Sequence, residues 1–228
     1  MAMTVADAAE RLGVSAHEVR RLVAAGTLSA DRVGRMLLLD DGSVLRRARA
    51  QVGRGRALAP GTAWAALWEA SGERAGWLDR GARSRVRSWL RTRSPERIAA
   101  GCRMRAVRAD VRVLPGYRAA VLAETGVVAG GMTQAEHAGA DILGAGDIPD
   151  EVYCSAGTWA RLRRDYGVSE LGEVNLVVRI PRFDDPELLQ RTVMPDAVVA
   201  VDLFESADLR TQRAGLALLE QSLAASLS

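Results

Sequence analysis

Arginine is the residue type in this chain with the most chemistry to offer. All 31 basic side chains are arginine, none lysine. A guanidinium presents a planar fork of donors that fits a phosphate, or the two acceptors on a guanine edge. The distribution is uneven. Residues 1–118 hold 23 arginines against 11 acidic residues, net +12, and residues 119–228 hold 8 against 17, net −9. A basic front and an acidic back suggest a nucleic-acid surface at one end only. Groups that could do covalent or metal chemistry are poorly placed by comparison. Asp184 and Asp185 are adjacent, so in a strand they point to opposite faces, and no Gly-Ser precedes them as a two-metal nucleotidyl transfer would need. Cys154 at a strand end, with His137 upstream, is a weak thiol–imidazole pair and is read as a buried, inert cysteine. Gly130-Gly131 is too short for a phosphate loop. The chain is therefore expected not to be an enzyme and to need no cofactor or metal.

The elements that must position the front arginines start at Thr4. Thr4 and Asp7 cap a helix whose apolar face is Val5, Ala8, Ala9 and Leu12, and Gly13 ends it. Ser15 and Glu18 cap a second helix, buried through Val19, Leu22 and Val23 and stopped at Gly26. Two short helices joined by a tight Gly-Val-Ser turn have helix-turn-helix spacing, with Ala9 expected at the crossing. Residues 28–39 read as a hairpin turning at Val33-Gly34-Arg35, and Asp40 or Asp41 then caps a third helix through Val44, Leu45 and Ala48.

Taken together, Ala8-Ala9-Glu10-Arg11-Leu12-Gly13-Val14-Ser15, Val19-Arg20-Arg21-Leu22, Gly26 and Arg32-Val33-Gly34-Arg35 resemble the MerR and excisionase-like winged helix-turn-helix family. The resemblance covers about a fifth of the chain and departs from the family pattern in the apolar run Met36–Leu39, where a polar or basic wing is usual; that run is expected to pack on the following domain. It implies that the second helix enters the major groove N-terminus first. Ser15 then lies at a phosphate-binding cap, and His17, Arg20 and Arg21 face bases and neighbouring phosphates. Arg32 and Arg35 take backbone or minor-groove contacts. Each of these side chains has the alternative of being a solvated charge.

Residues 52–60 read as a linker, ending in the helix start Pro60-Gly61-Thr62. Trp64, Trp68, Trp77 and Trp89 are read as core anchors, not base-stacking platforms. Arg80, Arg83, Arg87 and Arg91 form a helical stripe, taken to lie opposite Val86 and Leu90. It could face DNA, the acidic back half or a partner protein. From about Val107 the pattern alternates: strands at 107–114, 127–129, 151–155 and 176–180, helices at 117–124 and 158–165, and a terminal helix at about 207–223. Ala197–Phe204, a continuous apolar run, is read as a buried strand. The fold expected is α+β: a winged helix-turn-helix at 1–51, a linker at 52–60, and a helical segment plus α/β domain with a small sheet at 61–228.

The order of elements and the ending AVVAVDLFESADLRTQRAGLALLEQ resemble the abortive-infection, type IV class of antitoxins, over about half the chain. That implies an autorepressing regulator whose acidic domain holds a cognate toxin. The alternatives are an excisionase-like DNA-architectural factor and a protein-binding adaptor anchored on DNA. Double-stranded DNA is the expected partner, with homodimerisation open. No run approaches the ~20 apolar residues of a membrane span, no signal peptide is evident, and two separated cysteines suit a reducing cytoplasm.

Overall fold

The computed structural model describes residues 2–34, 36–44, 47, 56–140, 148–170 and 172–227. Two sheets, one of three strands and one of four, organise them around three hydrophobic cores.

The first unit opens on strand β1 (Ala2–Thr4), too short to be seen in the sequence pattern. Helices α1 (Val5–Leu12) and α2 (Ala16–Ala24) follow, then strands β2 (Ala30–Val33) and β3 (Met36–Asp40). The strands form an antiparallel sheet in the order β1-β3-β2. Ala8, Leu12, Val19, Leu22, Leu28, Leu39 and Val44 close a small core between helices and sheet. Ala8, not Ala9, is the fully enclosed alanine of α1. The apolar run of β3 serves this core through Leu39, while Met36 is exposed, so the run is explained inside the unit itself. Residues 41–44 are helical, and Asp40 caps that turn by accepting from the Ser43 N–H at 2.7 Å. Leu45 and Ala48 of the expected third helix, and the linker residues 52–55, lie outside the described residues.

The remainder is a larger α+β body. Helix α3 (Pro60–Ala70) starts with proline in its first turn, where the missing N–H costs nothing, and is buried from Ala63 onward. Trp64 and Trp68 are core anchors as expected, edge to face at 5.5 Å, and the Trp64 indole N–H donates to the Arg105 carbonyl at 3.0 Å. Helices α4 (Arg80–Arg91) and α5 (Pro95–Gly101) lead into the sheet strand β4 (Ala106–Val111). Then come α6 (Pro115–Leu122), β5 (Val127–Ala129), the one-turn α7 (Gly131–Gln134), β6 (Asp150–Cys154), α8 (Ala156–Asp165) and β7 (Leu176–Pro181). The sheet order is β4-β7-β6-β5, with β6 and β7 parallel and the outer pairs antiparallel. Strand alternation splits its residues: Val152, Cys154, Leu176 and Val178 face Val121 of α6 and Leu162 of α8. Tyr153 and Val128 join the opposite core with α3, α4 and α5.

Ala197–Phe204 is not a strand. It lies within helix α9 (Asp196–Phe204), which packs on α10 (Leu209–Ser226). A segment apolar all round has no period to distinguish helix from strand; here it is a helix buried on every side. Gly215 permits the contact, since a Cβ there would stand 2.6 Å from the Ala200 carbonyl oxygen. No helix among the described residues is long and apolar enough to cross a membrane.

Candidate nucleic-acid interface

Helix α1 carries the full capping box: the Thr4 hydroxyl accepts from the Asp7 N–H at 3.2 Å, and Asp7 accepts from the Thr4 N–H at 3.1 Å. Hydrogen bonds from Thr4, side chain first and then backbone, hold the Asp7 carboxyl below its ordinary range. Gly13 ends the helix at φ 63°, a left-handed conformation that a β-carbon resists, and its turn delivers Ser15 as the N-cap of α2. The Ser15 hydroxyl accepts from the Glu18 N–H at 3.2 Å. The return half of that box is absent, because Glu18 turns to Arg21 instead, accepting from Nη2 at 2.6 Å and Nε at 2.8 Å. Those bonds hold the Glu18 carboxyl below its ordinary range.

With Val19 and Leu22 buried, α2 presents Ser15, His17, Arg20 and Arg21 to solvent. Arg20 makes one weak bond, 3.5 Å to the Ala16 carbonyl, so its guanidinium can reach outward. Arg21 is pre-engaged by Glu18 and is the less available of the two. Arg32 is exposed on β2, beside the Gly34 turn at φ 61°. Arg35 lies outside the described residues. The structure thus brings Ser15, His17, Arg20 and Arg21 onto one helix, with Arg32 on the adjoining hairpin.

The second arginine group divides. At about 100° per residue, Leu90 falls only about 20° from Arg83 around the helix, so the stripe flanks the buried face and does not oppose it. Arg83 and Arg87 turn onto the buried Glu69 of α3 at 3.8 and 3.2 Å, and Arg87 also donates to the Ser226 carbonyl at 3.3 Å. These two guanidinium groups fasten α4 to α3 and the C-terminal helix. Arg80 and Arg91 remain exposed.

Sequence spacing gave no hint of a third charged group, buried between the sheet and α9. Asp202 Oδ1 accepts from Arg105 and from the Tyr153 hydroxyl at 2.7 Å, and it lies in ion-pair contact with Arg179 Nε at 3.1 Å. Glu205 bridges the same arginines, at 2.6 Å to each, and Arg179 also meets Glu151. Burial raises the Asp202 carboxyl despite the two arginines, and burial likewise raises the Tyr153 hydroxyl. At Glu205 the arginines outweigh burial and hold the carboxyl at about 2. The cluster's members come from positions up to 100 residues apart, so no local motif could reveal it. Burial pushes both thiols, Cys102 and Cys154, up to about 12, and His137 is exposed.

Against known proteins, residues 2–51 match the family model described as a helix-turn-helix domain. No curated protein and no solved structure matches the chain. The segment that matches is the unit holding α1, α2 and the β1-β3-β2 sheet: the chain carries an N-terminal helix-turn-helix DNA-binding domain.

Proposed function

We propose that the protein is a sequence-specific transcriptional regulator that represses its own promoter and acts without catalysis. The observation that carries this reading is the exposed face of α2, where Ser15, His17 and Arg20 stand away from the buried Val19 and Leu22. Such a helix reads base edges with its N-terminal residues, while a hairpin carrying Arg32 touches the backbone. So small a reading head needs a second copy for specific affinity, with half-sites one helical turn, ~34 Å, apart. The body is the part that receives a signal. Its acidic half, net −9 over residues 119–228, suits a basic protein, and the resemblance to type IV antitoxins makes that protein a cognate toxin. A separate core of this size favours a regulator over a small architectural factor.

Selection of duplexes from a random library by the full chain tests the reading. A recurring motif with two related halves, present in the chain's own promoter, is the expected result. Retention of all sequences alike would overturn it.

A further inference from the structure

The excess positive charge does not lie in the helix-turn-helix unit. Residues 2–51 hold eight arginines against six acidic residues, net +2, whereas residues 52–118 hold fifteen against five, net +10. Within the unit, Arg21 is matched by Glu18 at 2.6 Å and Arg11 by Asp41 at 3.5 Å. A DNA-binding unit with so small a surplus displaces few counterions and holds a duplex weakly.

The body supplies what the unit lacks at the corner between α4 and α5. Arg91, Arg93 and Arg97 are all exposed there. None has a salt bridge among the described residues, and Glu96 is the one acidic residue in the segment 91–97. The helix that leaves this corner, α5, runs to a cleft shared with the helix-turn-helix unit. A cleft of about 660 Å³ is lined on the body side by Ala99, Ala100 and Arg103, and on the other side by Gly26 and Thr27, which directly follow α2. Arg97 is one turn of α5 from Ala100, about 4.5 Å along the axis. The C-terminal half of α5 therefore meets the C-terminal end of α2, with Arg97 one turn back along the helix and Arg93 and Arg91 beyond it. When a recognition helix enters the major groove N-terminus first, that end is directed back toward the phosphate backbone.

We propose that Arg91, Arg93 and Arg97 form a second, sequence-independent DNA contact, gripping phosphates beside the site that α2 reads. The proposal rests on the DNA-binding reading above and adds a surface outside the helix-turn-helix unit. It replaces the Arg80–Arg91 stripe with a compact corner, since Arg83 and Arg87 are committed to Glu69.

The test compares the full-length parent with R91Q/R93Q/R97Q and R91K/R93K/R97K by fluorescence anisotropy. A selected duplex and a scrambled duplex of equal length are each titrated at several KCl concentrations. Each phosphate contact contributes about 0.9 to the slope of log affinity against log salt. The glutamine variant should lose about two to three from that slope on both duplexes, with the preference for the selected one unchanged. The lysine variant should keep the parental slope, because a phosphate needs only the positive charge. An unchanged slope in the glutamine variant overturns the proposal. So does a fall in slope accompanied by loss of dimer in sedimentation, which would assign the corner to contact between copies. Absence of duplex binding by the parent would instead defeat the DNA-binding reading itself.

Discussion

Replacing Asp202 with alanine tests whether the buried charge cluster holds the body together. One oxygen of Asp202 receives two donors, from Arg105 and Tyr153, and an ion-pair contact from Arg179, and all three side chains are all but inaccessible to water. Removing one partner of a buried ion pair costs about 3–5 kcal/mol, because the opposite charge stays desolvated. Two features set the expectation at the low end. Glu205 still bridges both arginines, and Arg179 keeps its pair with Glu151, so neither guanidinium group is left without a carboxylate. We expect D202A to cost about 3 kcal/mol. D202N should cost only about 1 kcal/mol, since an amide oxygen still accepts the donors. Its NH2 would also occupy the place of Oδ2, which has no hydrogen-bond partner among the described residues. Urea unfolding followed by circular dichroism reads both. With a slope of about 2 kcal/mol per molar, D202A should lower the midpoint by about 1.5 M. A shift under about 0.5 M for D202A, or equal shifts for the two variants, would mean that Asp202 does not hold the buried cluster together.

Glu205 sets a pH dependence. Its carboxyl falls from 4.5 to about 2 on folding, so its stabilisation, up to about 3 kcal/mol, is complete above pH 4.5 and disappears as pH falls through about 2. The difference in unfolding free energy between the parent and E205Q should therefore be level from neutral pH down to about 5 and then close. A difference that stays constant through pH 3 would contradict the assignment. The raised Asp202 carboxyl acts with the opposite sign and is raised in part by Glu205, so the same comparison made in a D202N background isolates Glu205. On α2, Arg20→Ala should cost on the order of 1–3 kcal/mol in binding to a selected duplex and relax one base position. Arg21→Ala should cost less, because Arg21 is already held by Glu18; equal losses in the same binding titration would count against that ranking.

The parts of the fold visible in the sequence were those written in local code. Thr4 and Ser15 cap their helices and Gly13 adopts the left-handed turn, because capping and backbone freedom depend on a few consecutive residues. The strands of the body were visible from short β-branched runs; in the first unit β1 was not, because its three residues are too few to show a period. Helix α9 was hidden because Ala197–Leu203 is buried on all sides, which erases the polar face that marks a helix. The available signal was Pro195-Asp196, a helix-start pair directly before the run. The arginine stripe was misjudged for a related reason. Helical spacing placed four arginines together, but only the angle to Leu90 and the buried Glu69 on another helix decide which are free. The Arg105–Arg179–Asp202–Glu205 cluster joins residues distant in sequence and left no spacing to read.

The proposed function makes α2 and its neighbours a DNA-binding surface. The most direct measurement is the affinity of the full chain for a duplex of its own promoter as KCl rises from about 50 to 200 mM. One exposed arginine of the helix-turn-helix unit, Arg32, and three at the α4–α5 corner offer about four phosphate contacts. At about 0.9 per contact the log–log slope should be near −4, a loss of more than about a hundredfold over that range. An affinity that stays flat across it would contradict the account.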